Sequence, residues 1–546
     1  MKKQILFLIL LMPLFSFLEA QNVPEHIDNQ TIVLFLDEMA SSHIIELNSS
    51  IKPYSRSFIA EKLLEIKEEE EKLNKRQKAE LEKFLKEYSL ELKTSTKEYR
   101  HNLLKKTQNT ALTYYPLGLY YNDYRFRFSL KSIYGVKHYS TSDSSAYQRW
   151  GGMALNAYVN DNFGFYVSLT DHHYSSNIVA PQYLIPDQGA ILKGEDYLDF
   201  AEIRGGINYS WKWGHIGLKK DRIAWGEAYN GTNILSGKTP SIAMLEFGIK
   251  PSKWFEFNYI HARLASDLLD SSRSYIDING MYRRIMHEKY LVANMFTFKP
   301  FKNFHISAGN SLIYSDEGIQ LQYLIPFMFF KAVDDTYNGT NNNAGHNSQM
   351  FATISSRNVK YTHLYASLFI DEMSIRRFRD PDRHSNFISG KAGVHISNPF
   401  KTNLFFTAEY TRTNPLTYQH FIATTSFETN QFCMGHYLKD NVDELYFSLN
   451  FKPYESVNIG ASYQKIRKGT PFIYGVVDPW GVPFMDDVVW SSNRLAFSIS
   501  YELFSKIFLN FEATSYKNQG DATTYVPFYL SRDSGTAFVG QLSIGF

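Results

Sequence analysis

The chain has 546 residues, a net charge of +2 and an aromatic content of 16%, which includes 42 Phe and 38 Tyr. The near-neutral charge gives no support for nucleic-acid binding, and the single cysteine, Cys433, excludes an intrachain disulfide. Beyond the N-terminus there is no run of about 18 apolar residues, so no transmembrane helix is predicted in the mature chain.

Residues 1–20 are predicted to be a secretory signal peptide. Lys2 and Lys3 give a basic start, residues 5–17 form an apolar core, and Ala20 marks the expected cleavage point. No cysteine follows the cleavage point, so a lipoprotein anchor is not expected. The alternative is an uncleaved anchor helix, for which the segment is short.

Residues 21–110 are predicted to form a helical segment that precedes the first strand. Ser55 is placed to cap a helix that runs to Glu70, and Asn74 with Gln77 resembles a capping box that starts a second helix. The second helix has an apolar stripe formed by Leu81, Phe84, Leu85, Tyr88 and Leu92. Residues 31–36 fit either a strand or a helix. The segment is expected in the periplasm, where it could cap or plug a barrel.

Residues 111–546 show the alternation that is typical of strands. In residues 445–451, Leu and Phe side chains face one side, whereas Tyr446, Ser448 and Asn450 face the other. Strands of about 9–11 residues with one apolar and one polar face suit the wall of an outer-membrane barrel. The sequence therefore predicts an all-β fold, a transmembrane antiparallel β-barrel with a periplasmic α-helical segment before it. A large soluble β-sandwich is the alternative.

Tight turns set the predicted number of strands. Eight are expected, at 160–162, 211–214, 250–253, 299–302, 356–358, 398–401, 452–455 and 502–505. Eight hairpins, a first strand at 124–139 and a last strand at 536–546 give about 18 strands. Long loops are predicted on the other side, at 140–150, 175–200, 224–240, 266–285, 316–348, 372–386, 414–441, 467–492 and 518–534.

Enzyme motifs are missing from the sequence. It has no GxSxG, HExxH, CxxC, Walker or dinucleotide-binding pattern. His172 and His173 are adjacent, which does not suit a metal site, and the acidic pairs 334–335 and 486–487 are expected to be solvated. We therefore predict no catalytic residue, no metal and no cofactor. A barrel hydrolase whose site is assembled between strands remains an alternative.

Several short motifs resemble the Wzi family of capsule-assembly outer-membrane proteins. They occur in the expected order over residues 200–450, as Trp225-Gly226, Leu235-Ser236 with Pro240, 323–327, 329–331, 414–418, 435–438 and 443–445. The residues before Trp225 are expected to form a strand that leads into an outer loop. One departure is Lys219-Lys220-Asp221, where a Gly-Arg-Gln type of run is expected.

The resemblance implies a non-enzymatic barrel that holds capsular or related polysaccharide at the cell surface. Aromatic faces pack against sugar rings, and Arg and Asn bind hydroxyl and acidic groups. The polysaccharide-binding residues that we predict are Arg222, Trp225, Tyr229, Asn230, Arg376, Arg377, Arg379 and Tyr418. Alternatively, the aromatic residues belong to an interfacial girdle, and the arginines contact lipopolysaccharide or are only solvated.

The predicted location is the bacterial outer membrane, with the N-terminal helices in the periplasm. The predicted partners are surface polysaccharide, outer-membrane lipid and lipopolysaccharide, with no nucleic acid, and the protein is expected to be monomeric. A porin or substrate-specific channel is the alternative function, and it differs from the first in requiring an open lumen.

Overall fold

Eighteen antiparallel strands close into a barrel in the computed structural model, which confirms the predicted fold class. The structure describes residues 22–93, 110–114, 117–123, 125–175, 190–192, 197–339 and 345–545. The predicted signal peptide lies outside the described residues. Among these residues, no helix has the length and apolar character needed to cross a membrane.

The strands of the wall are numbered β1 to β18 in chain order. They are Phe126–Ser140, Ser145–Val159, Phe163–Ser175, Tyr197–Trp211, Gly214–Asp221, Ile242–Ser252, Phe255–Leu264, Lys289–Phe301, Phe304–Ser315, Asn347–Ser356, Thr362–Glu372, Phe387–Ser397, Leu404–Thr413, Val442–Tyr454, Val457–Gly469, Val488–Phe504, Ile507–Gly520 and Ser534–Ile544. The last strand pairs with the first, Leu542 opposite Val136, and this pairing closes the barrel.

Side chains alternate across the wall as the sequence predicts. Ile207 on β4 and Leu218 on β5 point outward, with 65% and 69% of their surface exposed. Their neighbours Arg204 and Lys219 point inward and are buried. On these two strands the outer surface is therefore apolar and the inner face polar, which is the arrangement that a membrane-spanning barrel requires.

Proline residues lie close to three of the tight turns between strands, but they belong to the ends of the strands and not to the turns themselves. Pro251, Pro300 and Pro453 lie at the ends of β6, β8 and β14, where the pairing register shifts, and the chain reverses after them. Proline suits a bulge because it has no N–H to donate to the ladder. The prediction of a long loop at 140–150 is wrong, because β1 and β2 are joined by a four-residue turn. In this turn the Thr141 N–H donates to the Ser144 carbonyl over 2.9 Å.

Within the described part of the chain, three helices precede the wall: α1 (Gln30–Ser41), α2 (Arg56–Glu68) and α3 (Lys75–Glu87). The predicted caps are confirmed. Ser55 accepts from the Phe58 N–H, and Asn74 and Gln77 form a capping box. The stretch 31–36, which fitted either a strand or a helix, is helical, so the bundle has one helix more than the two predicted after Ser55 and Asn74. One further helix, α4 (Phe330–Asn338), lies between β9 and β10.

The helical bundle lies at the end of the barrel that has the short turns. The Asn398 amide donates to Glu38 over 2.7 Å, and Lys83 pairs with Glu502 over 2.7 Å. Lys506 pairs with Glu87 over 3.1 Å. The bundle core, built from residues such as Phe35, Leu63 and Phe84, is separate from the wall. The helices therefore cap this mouth of the barrel.

Candidate functional site

Two long segments fold into the barrel instead of standing above it. Residues 222–241 follow β5, and their short strands Ala224–Trp225 and Leu235–Ser236 pair with each other. Ile51–Lys52, from the N-terminal segment, pairs with Ala224–Trp225 on the other side. A three-stranded sheet thus lies inside the lumen and joins the helical segment to the barrel interior.

An apolar core surrounds that sheet. Trp225 contacts Phe351 edge to face, with ring centroids 6.0 Å apart. Residues 414–441 also fold inward and supply Tyr418, Phe427 and Met434 to the same core. The expectation that the stretch through Trp225 passes into an outer loop is wrong. Its apolar side chains are instead covered by inward-facing wall residues, a contact between segments far apart in sequence.

The structure places five of the predicted binding residues in this interior. Trp225 and Tyr418 are each 2% exposed, and the Tyr418 hydroxyl donates to the Asn233 carbonyl over 2.7 Å. Arg222 is 4% exposed and pairs with Asp28. The backbone N–H groups of Tyr229 and Asn230 donate to Glu409 over 2.7 and 3.0 Å. These contacts hold the inner segment together, so the five residues line the interior and not the outer surface.

Asp37 on α1 is the centre of a buried polar network below that segment. It accepts from Arg357, which also donates to Ser49 over 2.7 Å, and from the Tyr229 hydroxyl. Burial alone raises the pKa of Asp37, but its partners, with Arg357 the strongest of them, together outweigh burial and hold the pKa well below its usual range. The Tyr229 ring stacks on His395 with centroids 4.1 Å apart.

A polar cavity of about 240 Å³ lies between α1 and the inner wall. Its lining includes Asp37, Lys52, Glu227, Arg357 and His363. Such a volume accommodates several water molecules, and its charged groups largely neutralise each other. The cavity belongs to the contact between the helical cap and the barrel.

The remaining predicted residues lie together at the end with the long loops. Arg376 and Arg379 are exposed, in the loop between β11 and β12. Neither has a side-chain partner among the described residues. Arg383 in the same loop is also exposed. We call Arg376, Arg379 and Arg383 the arginine platform.

Arg377 supports the platform from below. Its guanidinium pairs with Glu372 over 2.5 Å and donates to the Ser385 carbonyl over 3.0 Å. It also lies 4.1 Å from the centroid of the Trp480 ring, which is contributed by the loop between β15 and β16. Phe387 stacks near-parallel to the same ring, with a centroid distance of 5.7 Å. Arg377 therefore fixes the loop, and cation–π and stacking contacts hold the two loops together.

A second pair of loops holds a cluster of possible metal ligands. Asp270, His287 and Asp316 have ligand atoms within 4.8 Å of one another. Arg273 pairs with Asp270 and lies 3.2 Å from Asp316, so it already supplies a positive charge there. The cluster is a network of ion pairs between loops.

Sequence reasoning missed Trp480 as the partner of Arg377, and it missed the network of Asp37, Arg357 and His363. The sequence gives only a weak indication that His363 is functional, namely that it is a polar residue at an inward position of β11. No local pattern pairs it with α1.

No protein-family model and no curated protein matches the chain. A solved structure does match along nearly the whole length, that of Wzi from Escherichia coli, described as a carbohydrate-binding β-barrel involved in group 1 capsule assembly. The chain is similar to Wzi in fold. The TM-score is 0.59 at 11% identity, over 96% of this chain and 100% of Wzi.

Two solved structures of Acinetobacter baumannii proteins are more distant. OccAB2 matches with a TM-score of 0.43 at 9% identity, over 76% of this chain and 97% of its own. OccAB3 matches with a TM-score of 0.42 at 10% identity, over 77% of this chain and 99% of its own.

Proposed function

We propose that the protein is an outer-membrane barrel of Wzi type that binds surface polysaccharide and holds it at the cell surface. The observation that carries this proposal is the apolar core inside the lumen, around Trp225 and Tyr418. A channel for polar solutes needs a hydrated path, whereas a core of this kind makes the lumen a packed support for the loops. The role is that of a binding protein without catalysis.

The arginine platform is the surface that we assign to the polysaccharide. Guanidinium groups form charge-assisted hydrogen bonds with carboxylate and phosphate groups of anionic polymers. Arg377 and Trp480 are already engaged with each other, so they position the platform, while Arg376 and Arg379 contact the ligand. The helices lie at the opposite end and are assigned to the periplasm.

Binding of anionic surface polysaccharide from the host strain to the purified protein tests the assignment. Replacing Arg376 and Arg379 by Ala is expected to weaken binding about tenfold, which corresponds to roughly 1.4 kcal/mol. The matched control replaces Arg283 and Arg284, two exposed arginines in the loop between β7 and β8. The control is expected to bind like the unchanged protein.

Equal losses in both variants would show that general charge, not the platform, attracts the polymer. Absence of binding by the unchanged protein would contradict the proposed function itself.

A further inference from the structure

One long loop folds down over the outside of the barrel wall. It runs from β9 to β10, and we call its residues 317–338 the belt, which ends in α4. Beneath it, outward-facing residues of β7, β8 and β9 are buried, among them Phe257, Val292 and Leu312, each 0% exposed. Elsewhere on the wall, outward-facing residues such as Leu218 remain exposed.

Two wall asparagines hold the belt by its backbone. The Asn294 amide donates to the carbonyls of Pro326 and Met328, over 2.9 and 2.8 Å. The Phe330 N–H, at the start of α4, donates to Asn310 over 2.9 Å. The two asparagines also bond to each other over 2.8 Å. Each outward-facing amide thus has partners that the belt supplies.

The depth of these contacts places the belt beside the lipid-facing wall. Asn294 lies near the middle of β8, five residues after Lys289. At a rise of about 3.3 Å per residue, this is roughly 16 Å of strand below the loop end. A polar side chain at such a depth on the outer face is costly unless its hydrogen bonds are satisfied within the protein.

The belt itself has the composition of a lipid-facing segment. Residues 319–330 contain no Asp, Glu, Lys, Arg or His. Their exposed side chains are Ile319, Leu321, Ile325, Phe327, Met328 and Phe329, with exposed fractions from 38% to 77%. Charged residues flank the run at Asp316, Glu317 and Lys331.

A buried cluster of polar side chains connects α4 with residue 323 of the belt and with residue 346, just before β10. The His346 ring bonds to Asp334 of α4 over 2.7 Å, and the Tyr323 hydroxyl lies 3.1 Å from the same carboxylate. All three side chains are nearly fully buried, so the expectation that the acidic pair 334–335 is solvated is wrong for Asp334. The belt is therefore a folded part of the barrel, fixed at both ends, and not a free loop.

We propose that the belt is a re-entrant segment that lies in the outer leaflet and packs its apolar face against lipid acyl chains. The proposal rests on the membrane location given under the proposed function. It explains why a barrel of this kind has amide side chains on its lipid-facing wall: they satisfy the backbone of the belt where no water is present.

Site-directed spin labelling in proteoliposomes tests the belt. In a protein whose Cys433 is replaced by Ala, single labels are placed by Ile325→Cys in the belt, Leu218→Cys on the wall and Ile375→Cys in an outer loop. Collision with oxygen, which concentrates in lipid, is compared with collision with a water-soluble nickel chelate. The belt label is expected to behave like the Leu218 label, with the oxygen rate several-fold the nickel rate.

A water-exposed label at Ile325 with a lipid-exposed label at Leu218 would overturn the belt proposal alone. Water exposure at both sites would contradict the membrane location. A label at Ile325 that is shielded from both reagents would indicate contact with a second copy and would also overturn the proposal.

Asn294→Leu provides the second measurement, because leucine suits a bare lipid-facing wall. Without the amide, the Pro326 carbonyl loses its donor and the Met328 carbonyl keeps only the longer bond from Asn310, so the Ile325 label is expected to become more mobile. Unchanged spectra in this variant would contradict the anchoring role of Asn294.

Discussion

At the scale of single residues, the contact between helix and barrel depends on buried charges that are paired. Arg357, in the turn after β10, meets Asp37 of α1, and both side chains are nearly inaccessible. Removing one partner of such a pair leaves an uncompensated charge, which typically costs about 3–5 kcal/mol.

Arg357→Ala is therefore expected to loosen α1 from the barrel, and amide hydrogen exchange of α1 is expected to accelerate. Adding Asp37→Asn removes the orphaned charge, so the double variant is expected to recover part of the protection. A double variant as fast as Arg357→Ala would contradict the electrostatic account.

A second buried pair makes the cap sensitive to acid. Glu25 meets Arg56 over 2.5 Å. Burial alone raises the pKa of Glu25, but Arg56, Lys506 and Tyr88 outweigh it and hold the pKa at about 2, against 4.5 in an unfolded chain. Because the folded pKa is depressed, the pair stabilises fully above pH 4.5, and this stability is lost as the pH falls towards 2.

We expect the helical bundle to unfold more readily between pH 4.5 and 2. A dye at Lys78→Cys, in the variant without Cys433, reports the loosening of α3 through its anisotropy during urea titration. Glu25→Gln is expected to flatten the pH dependence in this range. An equally steep dependence in Glu25→Gln would assign it to other groups.

At the scale of elements, α3 illustrates what local sequence determines. Asn74 accepts from the Gln77 N–H over 2.9 Å and donates to Asn403 of the barrel over 3.1 Å. We expect Asn74→Ala to destabilise the helical bundle by about 1 kcal/mol, because the loss of an N-cap side chain typically costs 0.5–2 kcal/mol. Exchange at the first amides of α3 measures the effect, with the exposed substitution Glu82→Ala as control. Equal effects of the two substitutions would show that the N-cap hydrogen bond of Asn74 is not responsible for the change in exchange.

Local features of this fold could be predicted from the sequence, whereas contacts between distant segments could not. Caps such as Ser55 and strand alternation such as that of 445–451 depend on neighbouring residues, so both could be read from the sequence. The inward course of 222–241 depends on Phe351 and Met434, more than a hundred residues away. The outer course of 317–338 likewise depends on Asn294 and Asn310, two polar residues whose orientation becomes informative only within the closed wall.

At the scale of the whole molecule, the helical cap, the inner sheet and the inward loops occupy successive levels of the barrel. The lumen is therefore expected to carry no steady current in planar bilayers. Replacing residues 224–240 by a short Gly-Ser linker removes the inner sheet and is expected to produce conductance steps. A steady conductance in the unchanged protein would favour the channel alternative.

The central claim is that the protein holds surface polysaccharide at the cell surface. The most direct test measures how this polymer partitions between cells and medium in a strain that lacks the protein. The account predicts that polymer is still made but is shed into the medium. It also predicts that the unchanged protein restores retention, whereas the variant lacking Arg376 and Arg379 does not. Unchanged retention in the deletion strain, with altered uptake of a small solute, would contradict the account.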